Sequence, residues 1–172
     1  DLEPALEQAD GVIISTPNDT HHAVATRCLE RGVHVLVEKP MTSTYAEALE
    51  LAELARKTEL TAMVGYVTRH DATVRFLKTL LDQRHFGRVN HFAYQFGTTG
   101  GWAPLSGYGA GPEGRGGGVG VLGVTGSHFL DRMLWFWGYP LDMQHFDDGA
   151  RGPEANCVAQ FLYEGPMHGT LR

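Results

Sequence analysis

Three short apolar runs, Gly11 to Ser15, Val33 to Val37 and Leu60 to Tyr66, alternate with two stretches of helical periodicity. That alternation constrains the fold more than any other feature of the chain. The first run is continuously apolar and bounded by turn formers, the pattern of a buried strand, and the other two read as further short strands. Ala23, Ala25, Cys28 and Leu29 recur at helical spacing, as do Ala48, Leu51, Ala52 and Ala55. Strands separated by helices predict a parallel sheet with crossover helices. Local signals agree. Asp19 or Thr20 is placed to cap the first helix, Gly32 to stop it, and Thr44 with Glu47 forms a capping box for the second. Leu2 to Ala9 reads as a short helix.

The character changes beyond Gly87. His70 to Arg84 is predicted helical, with Val74, Leu77 and Leu81 on one face. Arg88 to Gly97 alternates, placing Phe92, Tyr94 and Phe96 on one side of a half-buried strand of the antiparallel type. Thirteen glycines fall between Gly97 and Gly126, too many for a regular element, so this is a long loop of the kind that usually carries function. It holds Trp102 and Tyr108. Gly126 to Trp137 is predicted helical, with Phe129, Met133 and Phe136 on one side, and Ala155 to Tyr163 is a strand. The domain boundary falls between Tyr66 and Gly87, giving an assignment of 1–68 and 69–172. The chain begins at Asp1 without an initiator Met and ends at Arg172, apparently inside a new strand; a polypeptide longer at both ends is expected.

Composition narrows the function classes. A net charge of −6 gives no electrostatic footprint for nucleic acid. The basic pairs near Arg56-Lys57 and Arg84 to Arg88 read as solvated helix ends. No apolar run approaches the ~20 residues of a membrane span. Two cysteines, Cys28 and Cys157, make no disulfide framework and suit a reducing, cytoplasmic compartment. The histidines are scattered, without paired ligand spacing, so no metal is expected.

The chemistry gathers where strands end. Val35-Leu36-Val37 stops abruptly in Glu38-Lys39-Pro40. Two charges there pack poorly but suit a ligand, because open α/β sheets bind ligands outside the carboxyl ends of their strands. The strand before it ends in Thr16-Pro17-Asn18, with His21 three residues on, so the two strand ends are expected to converge on one site. A Lys beside an alcohol can stabilise a developing alkoxide or assist proton transfer. His128, opening a helix near free backbone N–H groups, can also exchange a proton with a hydroxyl.

These pieces together resemble the Gfo/Idh/MocA family of NAD(P)-dependent oxidoreductases. The residues that carry the resemblance are Asp10 to Asn18 with His21, Glu38-Lys39-Pro40, Gly65-Tyr66 with Arg69, Phe86 to Val89, Gly116 to Gly118, and Gly126-Ser127-His128 with Asp131. The resemblance implies a partial Rossmann-type parallel sheet, followed by part of a C-terminal α/β domain with a large, mostly antiparallel sheet. It implies NAD or NADP as cofactor. The Gly-rich phosphate-binding fingerprint of such folds is not found in residues 1–66.

The resemblance also implies roles. Lys39 and His128 are the catalytic candidates. Thr16, Pro17, Asn18, His21, Glu38, Lys39, Pro40 and Arg69 are expected at the cofactor, and Trp102, Tyr108 and Asp131 at the substrate. A cis Lys39-Pro40 bond is expected on family grounds. Glu38 either binds cofactor, orients Lys39 or makes a plain ion pair. Arg69 reaches cofactor phosphate or substrate, or forms a salt bridge at the domain hinge. Asp131 orients His128 or bonds a neighbouring loop. Val124 occupies the position where many members carry a proton-exchanging Asp. The expected function is hydride transfer between NAD(P) and a secondary alcohol or carbonyl of a sugar or polyol, in a homo-oligomer. The alternatives are a non-catalytic dinucleotide-binding sensor or subunit, motivated by Val124, and an NAD-dependent glycosidase.

Overall fold

The computed structural model describes residues 2–97, 120–149, 154 and 156–172. Trp102, Tyr108 and Gly116 to Gly118 lie outside the described residues. The described chain falls into two compact units, one reaching to Gly65 and the other taking up from Tyr66. No helix among the described residues is long and apolar enough to cross a membrane.

In the first unit, β1 (Gly11–Ile14), β2 (His34–Val37) and β3 (Ala62–Val64) form a parallel sheet in that order. α1 (Glu3–Leu6) precedes it, and α2 (His21–Glu30) and α3 (Tyr45–Thr58) are the crossovers. Ile14, Val35 and Val37 turn one sheet face inward, where Ala25, Cys28, Leu29 and Leu51 pack on them to make the core. The register aligns Ile14 with Val37 and Val37 with Val64. All three strands therefore end level, and the segments that follow them leave from one edge.

Local chemistry explains the boundaries. The capping box is formed: Glu47 N donates to Thr44 Oγ1 at 3.3 Å, and Thr44 N donates to Glu47 Oε2 at 3.0 Å. Gly32 adopts φ +80°, and the N–H of Val33 donates to Cys28 O at 3.0 Å, a glycine stop of the expected kind. The start of α2 differs from expectation. Thr20 is already helical in backbone, and its hydroxyl lies 2.7 Å from both Thr16 Oγ1 and Pro17 O. It therefore faces back along the loop, and a 3-10 turn at Asn18–Thr20 leads into the helix.

In the second unit, a 3-10 turn (Val67–His70) precedes α4 (Ala72–Asp82). Asp71 separates them because its carboxylate accepts from Thr73 N at 2.8 Å and Val74 N at 3.2 Å, a helix N-cap that starts α4 two residues inside the span expected over His70 to Arg84. β4 (His91–Tyr94), a π-helical turn (Leu122–Gly126) and α5 (Ser127–Trp137) follow, then β5 (Asp142–Asp147), β6 (Cys157–Leu162) and β7 (His168–Leu171). The sheet order is β4-β7-β6-β5. β5-β6 and β6-β7 pair antiparallel, whereas β4 runs parallel to β7. The antiparallel expectation thus holds for this sheet but not for β4 itself. Alternation reports a half-buried strand and is silent about the direction of its neighbour.

Phe92 anchors this unit. It stacks on Trp137 with ring centroids 4.2 Å apart and planes 18° apart, and joins Met133, Ala159, Phe161, Tyr163 and Leu171 in the core. Its register partner on β7 is Gly169. A Cβ at 169 would lie 2.0 Å from Phe92 Cζ, so only glycine leaves room for the ring. Burial pushes the Tyr163 phenol up to about 12.

Candidate functional site

The Glu38-Lys39-Pro40 turn leaves β2 on the level edge of the parallel sheet. Glu38 N donates to Ile14 O at 2.9 Å, which carries the β1–β2 ladder one residue beyond the strands. The Lys39-Pro40 peptide is cis. The Glu38 carboxylate folds back on its own turn, accepting from Lys39 N at 3.2 Å. It rests against Gly65, where an added Cβ would come 3.3 Å from Glu38 Cδ and Oε1. Glu38 thus contacts the backbone of the turn that carries Lys39. Partial burial holds the Lys39 ammonium below its usual range, and the nearby Glu38 charge opposes that only in part.

On the same edge, β1 continues into Thr16-Pro17-Asn18. Asn18 is 2% exposed, and both Oδ1 and Nδ2 lack a hydrogen-bond partner among the described residues. A buried amide normally finds partners, so one left with a free donor and acceptor is either costly or meant for a ligand. Sugar hydroxyls and a carboxamide are groups it could satisfy, which fits the ribose and nicotinamide of NAD(P). His21 looks inward instead. It is 1% exposed, with Nδ1 2.9 Å from Pro40 O and Nε2 2.9 Å from Thr16 O. Both ring nitrogens are engaged by backbone, so His21 ties the two loops together. Its neighbour His22 pairs with Glu50 at 3.0 Å.

The second unit holds another polar cluster. Arg69 grips Asp131 in a two-pronged ion pair, Nε to Oδ2 and Nη2 to Oδ1, each at 2.6 Å. Asp131 is buried, and the guanidinium lies 5.5 Å from the centroid of the Trp135 ring. Of the roles open to Arg69 and Asp131, the structure forms the salt bridge, and it forms it between the two. His128 stands in the first turn of α5 and meets the Tyr66 ring edge-on, centroids 6.0 Å apart. The Tyr66 phenol is pushed up, first by burial and then by the Asp131 charge, with Arg69 opposing. Val124 lies in the π-helical turn just before this helix.

Sequence reasoning missed the partnership of Arg69 with Asp131 and that of Tyr66 with His128. Both join positions some 60 residues apart, and no local spacing signals such a contact. It also missed the stacking of Arg132 over Tyr94 and Phe129, at 5.1 and 4.8 Å.

A level parallel edge bearing a polar loop, a buried amide and a Lys turn defines a Rossmann-type dinucleotide-binding protein. Comparison with known proteins makes this specific. Residues 1–66 match the model of an oxidoreductase family with an NAD-binding Rossmann fold. The chain belongs to this family, Gfo/Idh/MocA. The uncharacterized oxidoreductase YdgJ of Escherichia coli (strain K12) is 34% identical over 139 residues, covering 78% of this chain and 38% of the relative. An inositol 2-dehydrogenase of Rhodococcus jostii is 40% identical over 84 residues, 46% of this chain and 22% of the relative. A solved NAD-binding protein from Listeria innocua superposes with a TM-score of 0.77 at 27% identity, covering 99% of this chain and 51% of that one. The chain thus spans about half the length of that structure and less of the two curated relatives.

Proposed function

We propose that the protein is an NAD(P)-dependent oxidoreductase acting on a secondary alcohol or carbonyl of a sugar or polyol. The observation that carries the reading is the level strand edge, where the unsatisfied Asn18 amide and the half-buried Lys39 leave from adjacent strands. The inositol 2-dehydrogenase relative supports a polyol-like substrate. When bound, NAD(P) supplies the acceptor or donor of hydride.

The chain's own residues do the rest. Thr16, Pro17 and Asn18 hold the ribose and nicotinamide side through backbone groups and the buried amide. Lys39 hydrogen-bonds the reacting oxygen and takes or returns its proton. A lowered Lys suits this, because a sizeable neutral fraction lies nearer to working pH. Glu38 keeps the Lys39 turn in place. His128 is assigned as a second proton-handling group on the substrate-binding unit, with the Arg69–Asp131 pair bracing its helix. Residues 1–68 form part of the dinucleotide-binding domain and 69–172 part of the substrate domain. Free Cys28 and Cys157 support a cytoplasmic setting. The exposed apolar side chains of Tyr139, Leu141, Met143 and Phe146 support homo-oligomerisation.

A scan with NAD and NADP against a panel of sugars and polyols tests the reading. Turnover of at least one polyol is expected. Clear cofactor binding with no turnover of any substrate would sink it in favour of a sensor. The pH profile tests the role of Lys39. Burial destabilises its charged form, so its proton is lost at a lower pH than that of a free Lys. The kcat for alcohol oxidation should therefore rise with pH, with a midpoint below the ordinary value of ~10.4. A midpoint at or above that value contradicts the assignment.

A further inference from the structure

We propose that Arg132 is a specificity-determining residue that binds the carboxylate of a sugar acid. The inference rests on the oxidoreductase reading and narrows its substrate class. Arg132 lies on α5, with its guanidinium 5.1 Å from the centroid of the Tyr94 ring and 4.8 Å from that of Phe129. The two rings pack on each other with centroids 5.1 Å apart. Aromatic faces within about 6 Å attract a guanidinium. Two of them fix its plane, so its rigid fork is oriented before any ligand arrives.

The cluster lacks an anion. Arg132 is half-buried, and its Nε is buried with no hydrogen-bond partner among the described residues. Among those residues no carboxylate forms an ion pair with it. Its sequence neighbour Asp131 is already held by Arg69 through both oxygens. Tyr94 does not supply the charge either, because burial pushes its phenol up and the Arg132 charge opposes that only in part. A buried N–H without an acceptor is costly. A planar carboxylate relieves that cost, since it accepts from the guanidinium edge in a two-pronged fashion. One uncompensated cation matches the single charge of a carboxylate better than the nearly double charge of a phosphate monoester.

Position relates this anion site to the chemistry. Arg132 follows His128 by four residues on the same helix. The two side chains therefore leave α5 about 40° apart around the axis and about 6 Å apart along it. A single sugar ring spans that length. An acid group seated on Arg132 places a ring hydroxyl of the same molecule beside His128, the group assigned to its proton.

Uronates and their parent sugars test the site, because each pair differs only in a carboxylate or a hydroxymethyl group. Glucuronate with glucose, galacturonate with galactose and mannuronate with mannose are assayed with the full-length protein. For the best pair, kcat/KM is expected to be roughly 10–100-fold higher for the acid, the scale of hydrogen bonds to a charged group. Arg132→Gln should bring that ratio close to one, and a ratio does not depend on how much of the variant is folded. A parent ratio near one, or a ratio unchanged by Arg132→Gln, overturns the proposal. A higher kcat/KM for the corresponding 6-phosphate overturns the carboxylate assignment. Calorimetric titration of the uronates into the NADH-loaded protein needs no turnover, and Arg132→Gln should weaken the tightest Kd roughly 10–100-fold. Uronate binding that depends on Arg132, without turnover of any substrate, fells the oxidoreductase reading and upholds the anion site. No uronate binding, or the same Kd in both proteins, overturns the anion site whatever the turnover.

Discussion

Lys39→Ala is expected to lower kcat for alcohol oxidation by about 10²–10⁴-fold, the usual contribution of a positioned proton-transfer group. That corresponds to roughly 3–5 kcal/mol of transition-state stabilisation. The affinity for NAD(H) should stay nearly unchanged. Three contacts of the turn run through other groups: Glu38 N bonds Ile14 O, the Glu38 carboxylate accepts from the Lys39 backbone N–H, and Pro40 O meets His21. Truncation removes the proton carrier and keeps those three contacts. Lys39→Arg should recover little, because a guanidinium keeps its charge but does not give up its proton. Steady-state kinetics with the best polyol from the panel, alongside a fluorescence titration with NADH, separates the two effects. Turnover unaffected by Lys39→Ala removes Lys39 from the mechanism.

Gly169→Val is expected to destabilise the second unit by about 3 kcal/mol, the upper range for overpacking a core. In a chain of this size that lowers Tm by roughly 6–12 °C. The clash falls on the ring of Phe92, with its Cζ at 2.0 Å and its Cε1 at 2.3 Å from the new Cβ. The ring is poorly able to retreat, since Trp137 is stacked 4.2 Å away and Phe161 and Tyr163 stand about 6 Å off. Phe92→Ala alone should cost about 3–5 kcal/mol. The double variant should cost clearly less than the two summed, because each removes the reason for the other's penalty. Circular dichroism melts of the three variants measure the cycle. An unchanged Tm for Gly169→Val would show that Phe92 does not need the glycine.

What the sequence disclosed follows from the range of the forces involved. The parallel unit was legible because its signals are local. The apolar run Val35 to Val37, the Thr44–Glu47 box and the Gly32 stop each act within a few residues, and the Lys39 turn announced itself by placing charge at a strand end. β5 was not legible. All six of its residues are exposed, so no buried face marks them, and only pairing with β6 makes them a strand. Arg69 and Asp131 were each visible as candidates, but their bond spans 62 positions and leaves no pattern in either neighbourhood. His21 was seen at the right loop and expected at the cofactor. That both its nitrogens face carbonyls depends on where Pro40 O sits, which periodicity does not encode.

The parallel pairing of β4 with β7 also sets an order of events. His91 meets His168, and Tyr94 meets Leu171, so this strand finds its one sheet neighbour among the described residues some 77 positions later. Synthesis runs at about 5–20 residues per second, which leaves β4 without that partner for roughly 4–15 seconds after it is made. The strands of the first unit lie beside their successors and close much shorter loops, a difference that governs folding rate more than final stability. The first unit is therefore positioned to fold while the ribosome is still delivering the second. In the interval Phe92 has no Gly169 beneath it, and this is when the nascent chain is most open to a chaperone.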